Sequence, residues 1–241
     1  MRAIALIVGR ELGAYFRGMS GWIIAAGILL LQGVLFNVFA LGDGDKLSSK
    51  VLQDYFYFSM GMTIVASVLL SMRLIAEERH DGTMVLLLTS PASDWQIAVG
   101  KWMSAWIFVL MILAASFYMP LMVAVNGSVH TGHVFAGYLG LVLIGAATTA
   151  LGTFTSSLTG SQVVAVILGG ILAALTCVMW LFSKVASPPL DELFAYLDFY
   201  YRHFQDFREG TIHTRSIVFY SSVTFFFLLL TRQVLGARRW R

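Results

Sequence analysis

Apolar runs of bilayer length alternate with short polar stretches along the whole chain. A membrane-spanning helix needs about 20 mainly apolar residues, so this pattern predicts six spans: Gly21–Leu41, Tyr55–Ala76, Trp102–Val125, Val134–Ser157, Val163–Ser183 and Ser216–Leu235. The fold class expected is an all-α polytopic membrane protein, one transmembrane domain over 1–241. Composition agrees. Of the 241 residues 58% are hydrophobic and 12% charged, with mean hydropathy +0.79, whereas a soluble domain carries roughly a quarter of its residues charged. A basic N-terminus precedes the first long run without a short apolar core and cleavage site, so no removable signal peptide is expected.

Charge then orients the spans. An even number puts both termini on one side. The terminal side carries Arg2, Arg10, Arg17, Arg73, Arg79, Lys101, Arg232, Arg238, Arg239 and Arg241 against Glu11, Glu77, Glu78, Asp81 and Asp94. On the opposite side six basic residues face eight acidic ones. Lys and Arg gather in cytoplasmic loops, so both termini are expected in the cytoplasm of a bacterial cell, with the chain multi-pass in its inner membrane.

Within or at the edge of the spans, strong polarity is confined to Gln32, Asn37 and Gln162, while Arg73 and Lys101 are close enough to the cytoplasmic face to snorkel. Ion-driven carriers keep ionisable groups at mid-membrane, so a proton relay is not expected. All five His lie in loops or span edges, and neither a G-x-S-G nor an H-E-x-x-H motif occurs, which removes the parts of an intramembrane serine protease and of a zinc protease. The single Cys177 sits in an apolar run, as a packing residue. No metal, catalytic or cofactor-binding residue is expected in this chain, and no nucleic-acid partner. Small residues recur at four-residue spacing in span four (Thr148, Gly152, Ser156) and span five (Gly169, Ala173). Such spacing lets helices approach closely in lipid; packing inside one bundle is favoured, with a dimer seam or a pathway lining as the alternatives.

Three segments are not spans. In residues 1–20, Ile4, Val8, Leu12, Tyr15, Phe16 and Met19 share one helical arc and Arg2, Arg10 and Arg17 another, the pattern of an interfacial elbow helix. The cytoplasmic loop 77–101 holds Glu77-Glu78-Arg79-His80-Asp81-Gly82-Thr83, a short Leu run and Pro91, a compact element suited to docking in a partner's groove. In the outer segment 184–214, Leu193, Leu197, Tyr200, Tyr201, Phe204 and Phe207 recur at helical spacing against Asp191, Glu192, Asp198, Arg202 and Asp206, predicting an aromatic amphipathic helix at the outer interface. The sequon at Asn126 is so close to span three that it is read as a loop coincidence.

The run from Arg73 through Glu77, Glu78, Arg79, Gly82 and Thr83 to Leu87, Leu88 and Pro91, then Gly100-Lys101, resembles the segment between the second and third spans of type-2 ATP-binding-cassette (ABC) exporter permeases. The gliding-motility-associated permease group is the nearest flavour. His203-Phe204-x-x-Phe207-x-x-Gly210 and the terminal Arg238-Arg239-Trp240 resemble that group's ending. The resemblance implies that Gly82–Pro91 seats in a groove on a separate ATPase subunit, supported by Glu77, Glu78 and Arg79, with Thr83 and Leu87 in the coupling element. It also implies short re-entrant helices before the last span that cap the pathway. Consistently, Gly100-Lys101-Trp102 lacks both the upstream Gly and the following Ser/Thr of a Walker motif.

The leading expectation is therefore the permease subunit of an ABC exporter, coupled to two cytoplasmic ATPase chains that bring ATP and Mg. A second permease copy or a related permease, the lipid bilayer and an extracytoplasmic auxiliary protein are the other partners. The same machine could move a substrate or deliver mechanical work. The alternative is a membrane scaffold or assembly factor without an ATPase; a passive channel or ion-driven carrier ranks third.

Overall fold

A computed structural model describes residues 2–42, 47–84, 92–187, 190–199 and 202–239. The described residues are helical, with no strand among them. The elements are α1 (Arg2–Arg17), α2 (Met19–Leu35, continued by a π-helical turn, Phe36–Leu41), α3 (Ser48–Ser71), α4 (Arg73–His80), α5 (Asp94–Ala115), α6 (Tyr118–Asn126), α7 (Thr131–Leu158), α8 (Gln162–Val185), α9 (Leu190–Leu197), α10 (Phe204–Arg208) and α11 (Thr214–Arg239). Six stretches are long and apolar enough to cross a membrane: Met19–Leu41, Ser48–His80, Asp94–Val125, Thr131–Leu158, Gln162–Val185 and Thr214–Ala237. Each contains one of the spans read from the sequence.

Two of the six are broken in ways hydropathy does not show. The second bends at Met72, between α3 and α4. The third bends at Ser116–Phe117, where Ser116 Oγ turns back onto the Leu113 carbonyl (2.8 Å). That break lets Pro120 sit in the first turn of α6, where its missing N–H has no intrahelical acceptor to lose.

The fourth span is the hub. α7 packs against α3, α5, α8 and α11, and 67% of its apolar window is buried, against 17% for α8. Its residues explain the difference. Gly137 has the Phe56 ring directly against it, and Gly145 meets Thr63 and Val109 at 3.4 and 3.3 Å from where a Cβ would stand. α8 instead turns Val163, Ile167, Ile171 and Leu175 outward, the all-round apolar character of a helix whose solvent is lipid.

One polar cluster inside the bundle pairs its members with one another, as a medium without water favours. Gln32 donates to Ser59 Oγ (2.7 Å) and to Tyr55 OH (3.3 Å), and the Tyr55 hydroxyl meets Ser116 Oγ (3.1 Å) and Tyr138 OH (2.9 Å). This cluster ties α2, α3, the α5–α6 break and α7 together.

Candidate functional site

The segment singled out after the second span begins where α3 ends. Ser71 and Met72 close α3, and α4 restarts at Arg73 with its first amides unsatisfied from within the helix. Ser156, near the end of α7, accepts from the backbone N–H of Ile75 (3.1 Å) and Ala76 (3.0 Å) and donates its hydroxyl to the Met72 carbonyl (2.7 Å). One side chain thereby satisfies both sides of the break. Arg79 donates to the Ser157 carbonyl (3.2 Å), so both ends of α4 are fastened to the same end of α7. α4 then stops: Asp81 N–H bonds to the Glu77 carbonyl, Gly82 takes φ +71° and Thr83 Oγ1 donates to the Glu78 carbonyl (3.3 Å). Gly82 has nothing within 4 Å of a notional Cβ, so glycine is there for its left-handed backbone and not for space. Leu87 and Pro91 lie outside the described residues.

Glu77 and Glu78 have different surroundings. Glu77 is partly exposed and pairs with Arg73 one turn earlier (3.1 Å). Arg73 also donates to Ser20 Oγ (2.6 Å) and lies over the Tyr15 ring, 5.0 Å from its centroid. Glu78 points inward to Lys101. The Lys101 side chain is fully buried, with Nζ 3.0 Å from Glu78 Oε1, 3.1 Å from Glu11 Oε1 and hydrogen-bonded to the Leu74 carbonyl. Arg10 bridges the same two carboxylates. α1, α4 and α5 are joined by this four-residue network, and Ile7 of α1 closes onto Gly100 of α5. Burial works to raise the Glu11 carboxyl, but the Lys101 ammonium and the Arg10 guanidinium hold it below its ordinary value. Lys101 therefore does not snorkel to the headgroups, because the neighbouring helices bring two carboxylates and a carbonyl to it. The sequence reading missed Arg10, Glu11 and Lys101 as one unit: they are 90 residues apart and no local spacing links them.

The small residues sit inside the chain. A Cβ on Gly152 would fall 1.8 Å from Ser71 Oγ and 2.9 Å from Ser71 Cβ, and one on Gly169 would stand 3.1 Å from Thr155 Oγ1 and 3.2 Å from Val68. Thr148 is buried and donates to the Ile144 carbonyl (2.7 Å), and Ala173 is buried on the inner face of α8. Facing them on α3 is a stripe that the sequence reading did not single out, Ser59, Thr63, Ser67 and Ser71, all buried. Its signal was present as the same four-residue spacing. These side chains are small enough to admit α7 closely, and Thr63 and Ser71 turn their hydroxyls to the carbonyls four residues back.

At the opposite end, where periodicity predicts one amphipathic helix and the resemblance implies short ones, the described residues form two short helices, α9 and α10. The helix stops after Leu197 because the next residues are committed elsewhere: Phe199 N–H bonds to the Thr176 carbonyl of α8 (3.2 Å) and Asp198 Oδ2 accepts from the Arg202 amide (3.2 Å). Phe204 and Phe207 are fully buried, with the Phe207 Cβ 2.7 Å from where a Cβ on Gly140 would stand. Leu193 and Leu197 remain exposed; Tyr200 and Tyr201 lie outside the described residues. His203 stacks on Phe219 of α11 (3.9 Å between centroids) with Nε2 3.1 Å from the Tyr196 carbonyl. Burial holds its pKa below the ordinary value, reinforced by the Arg215 and Arg202 charges and opposed by the Tyr196 hydrogen bond. Arg208 donates to the Gln53 carbonyl (2.9 Å) and pairs with Asp54 (3.3 Å), and its own carbonyl accepts from His133 Nε2 (2.7 Å). Gly210 then takes φ +88° against the His133 ring.

Among the described residues no group of three or more His, Cys, Asp or Glu side chains converges as a metal site. The described residues place a short braced helix, α4, at one end of the bundle and the buried aromatic rings of Phe204 and Phe207 at the other.

The chain matches the family model described as ABC-2 family transporter protein over residues 20–230. No curated protein matches it. The match takes in the second to fifth apolar stretches whole, nearly all of the first and most of the last, together with α4, α9 and α10. With most of its length so matched, the chain belongs to the ABC-2 transporter family as a multi-pass membrane permease.

Proposed function

We propose that this chain is the membrane subunit of an ATP-driven exporter-type machine, in which two copies of a separate cytoplasmic ATPase bind and hydrolyse Mg-ATP and the permease converts their movement into export of a substrate or mechanical work. It works paired with a second copy or a related permease, in the bacterial inner membrane with both termini in the cytoplasm. The gliding-motility-associated group is the relative we favour, from the residues around Arg73–Pro91 and His203–Gly210.

One observation carries this reading. α4, which leads into the Gly82–Pro91 segment, is fastened to the hub helix through Ser156 and Arg79, and to α1 and α5 through the Lys101 network. A displacement of α4 is therefore passed to α1, α5 and α7 through these bonds. The basic excess at this end supports its cytoplasmic placement. The buried aromatic plug of Phe204 and Phe207 supports a closed outer end at rest.

The test is purification of the tagged chain in mild detergent, with mass spectrometry of its companions and nucleotide turnover of the complex. A stoichiometric subunit with a Walker motif and ATP turnover supports the reading. A pure chain with no ATPase overturns it in favour of a scaffold.

A further inference from the structure

A cleft with a volume of about 710 Å³ lies between α1, α4 and the start of α5. Its walls include Ala3, Leu6, Ile7 and Leu74; its charged groups are Arg10, Arg73 and Lys101 against Glu11, Glu77, Glu78 and Asp81. That volume suits a drug-sized molecule, and the charge distribution decides its sign.

The cations of the cleft are already committed. Lys101 directs its donors at Glu11, Glu78 and the Leu74 carbonyl, Arg10 bridges the same carboxylates, and Arg73 is held by Glu77 and Ser20. The carboxylates are not fully matched. Glu78 Oε2 is buried without a hydrogen-bond partner, Glu77 keeps an exposed edge, and Asp81 stands at the exposed rim, where its one partner among these contacts is the titratable ring of His80 at 3.2 Å. Four carboxylates against three cations leave one negative charge beside apolar walls.

We propose that this cleft binds an amphipathic organic cation, one positive charge on an apolar body. The charged end lies toward Asp81, Glu77 and Glu78, and the body lies along Ala3, Leu6 and Ile7 of α1. An anion of the same shape meets unmatched carboxylates, and a neutral one leaves them unmatched. Leu6 is largely exposed, so the apolar side of the cleft is open to a molecule dissolved in the headgroup layer. The site is formed by this chain alone, and its occupancy requires no ATPase.

The experiment is equilibrium binding of rhodamine 6G, a fluorescent monocation, to the purified chain in zwitterionic nanodiscs, with signal from empty nanodiscs subtracted. Saturable binding of one dye per chain, displaced by tetraphenylphosphonium and not by fluorescein, is the expected result. Ala3→Trp, which fills the cleft from α1, and Asp81→Asn, at its exposed rim, should each weaken binding about fivefold or more with unaltered thermal stability. Binding no greater than to empty nanodiscs, displacement by fluorescein as readily as by tetraphenylphosphonium, or wild-type affinity in both variants overturns the proposal. Because no ATPase is present, failure here leaves the exporter reading standing, and failure of that reading leaves this site testable.

Discussion

Ser156 Oγ donates to the carbonyl of Met72 at 2.7 Å while accepting the amides of Ile75 and Ala76. A single hydroxyl on the hub helix therefore bonds to both sides of the interruption in the second span. Without it the Ile75 amide would lose its partner at the interruption, and the Ala76 amide and Met72 carbonyl would each lose a second one.

Ser156→Ala should cost about 1–3 kcal/mol, the range for leaving buried backbone groups unsatisfied. The variant should still insert, but melt at lower temperature in detergent, and amide exchange should rise selectively at residues 72–80. Unchanged exchange there would show that α4 is held by other contacts.

Lys101→Met removes the buried cation shared by Glu11 and Glu78 and leaves only the exposed Arg10 between them. Breaking a buried pair in this way is expected to cost about 3–5 kcal/mol. Adding Glu78→Gln removes much of the uncompensated charge, so the double variant should be more stable than Lys101→Met alone. A thermal-unfolding double-mutant cycle checks this, and additive losses would mean the two residues do not interact.

The contact between Gly152 and Ser71 predicts a specific rescue. Gly152→Ala places a methyl 1.8 Å from Ser71 Oγ and 2.9 Å from its Cβ, forcing α3 and α7 apart, a loss of about 1–3 kcal/mol. Ser71→Gly removes both clashing atoms, and the next neighbour, the Ser67 carbonyl, is 3.7 Å away. The pair should therefore recover most of the stability lost by Gly152→Ala. Absence of recovery would place the strain elsewhere.

His203 predicts a direction with pH. Its folded pKa lies below the ordinary 6.5, so as pH falls through that value the opened segment takes up a proton before the folded one does. The stabilising contribution of the neutral, stacked ring is intact above about pH 6.5 and is lost progressively below it. Amide protection of residues 196–210 should be lower at pH 5.5 than at pH 7.5 in the wild type, and this difference should vanish in His203→Gln. A wild-type segment equally protected at both pH values would contradict it.

The spans were legible because lipid allows few solutions: an apolar run of about 20 residues must be a helix. The small residues of α7 were legible for a related reason, since close approach demands missing side-chain volume at a fixed period. The Lys101 network was not. Lys101 reads locally as a cation at a span edge, and only the fold brings Glu11 and Glu78 to it. The break of the outer helix after Leu197 was hidden as well, because periodicity from Leu193 to Phe207 continues through it. What interrupts the helix is tertiary: the Thr176 carbonyl takes the Phe199 amide, and hydrophobic spacing carries no record of that bond.

The central claim is that the segment beyond Gly82 joins this chain to an ATPase. Its most direct test compares ATPase co-purification and nucleotide turnover for the wild-type chain and for a chain in which Gly82–Pro91 is replaced by a Gly/Ser linker of equal length. Stoichiometric ATPase with the wild type, and its loss from a replacement that still inserts and melts normally, is the predicted result. An ATPase retained undiminished by the replacement, or absent from both preparations, would contradict the claim.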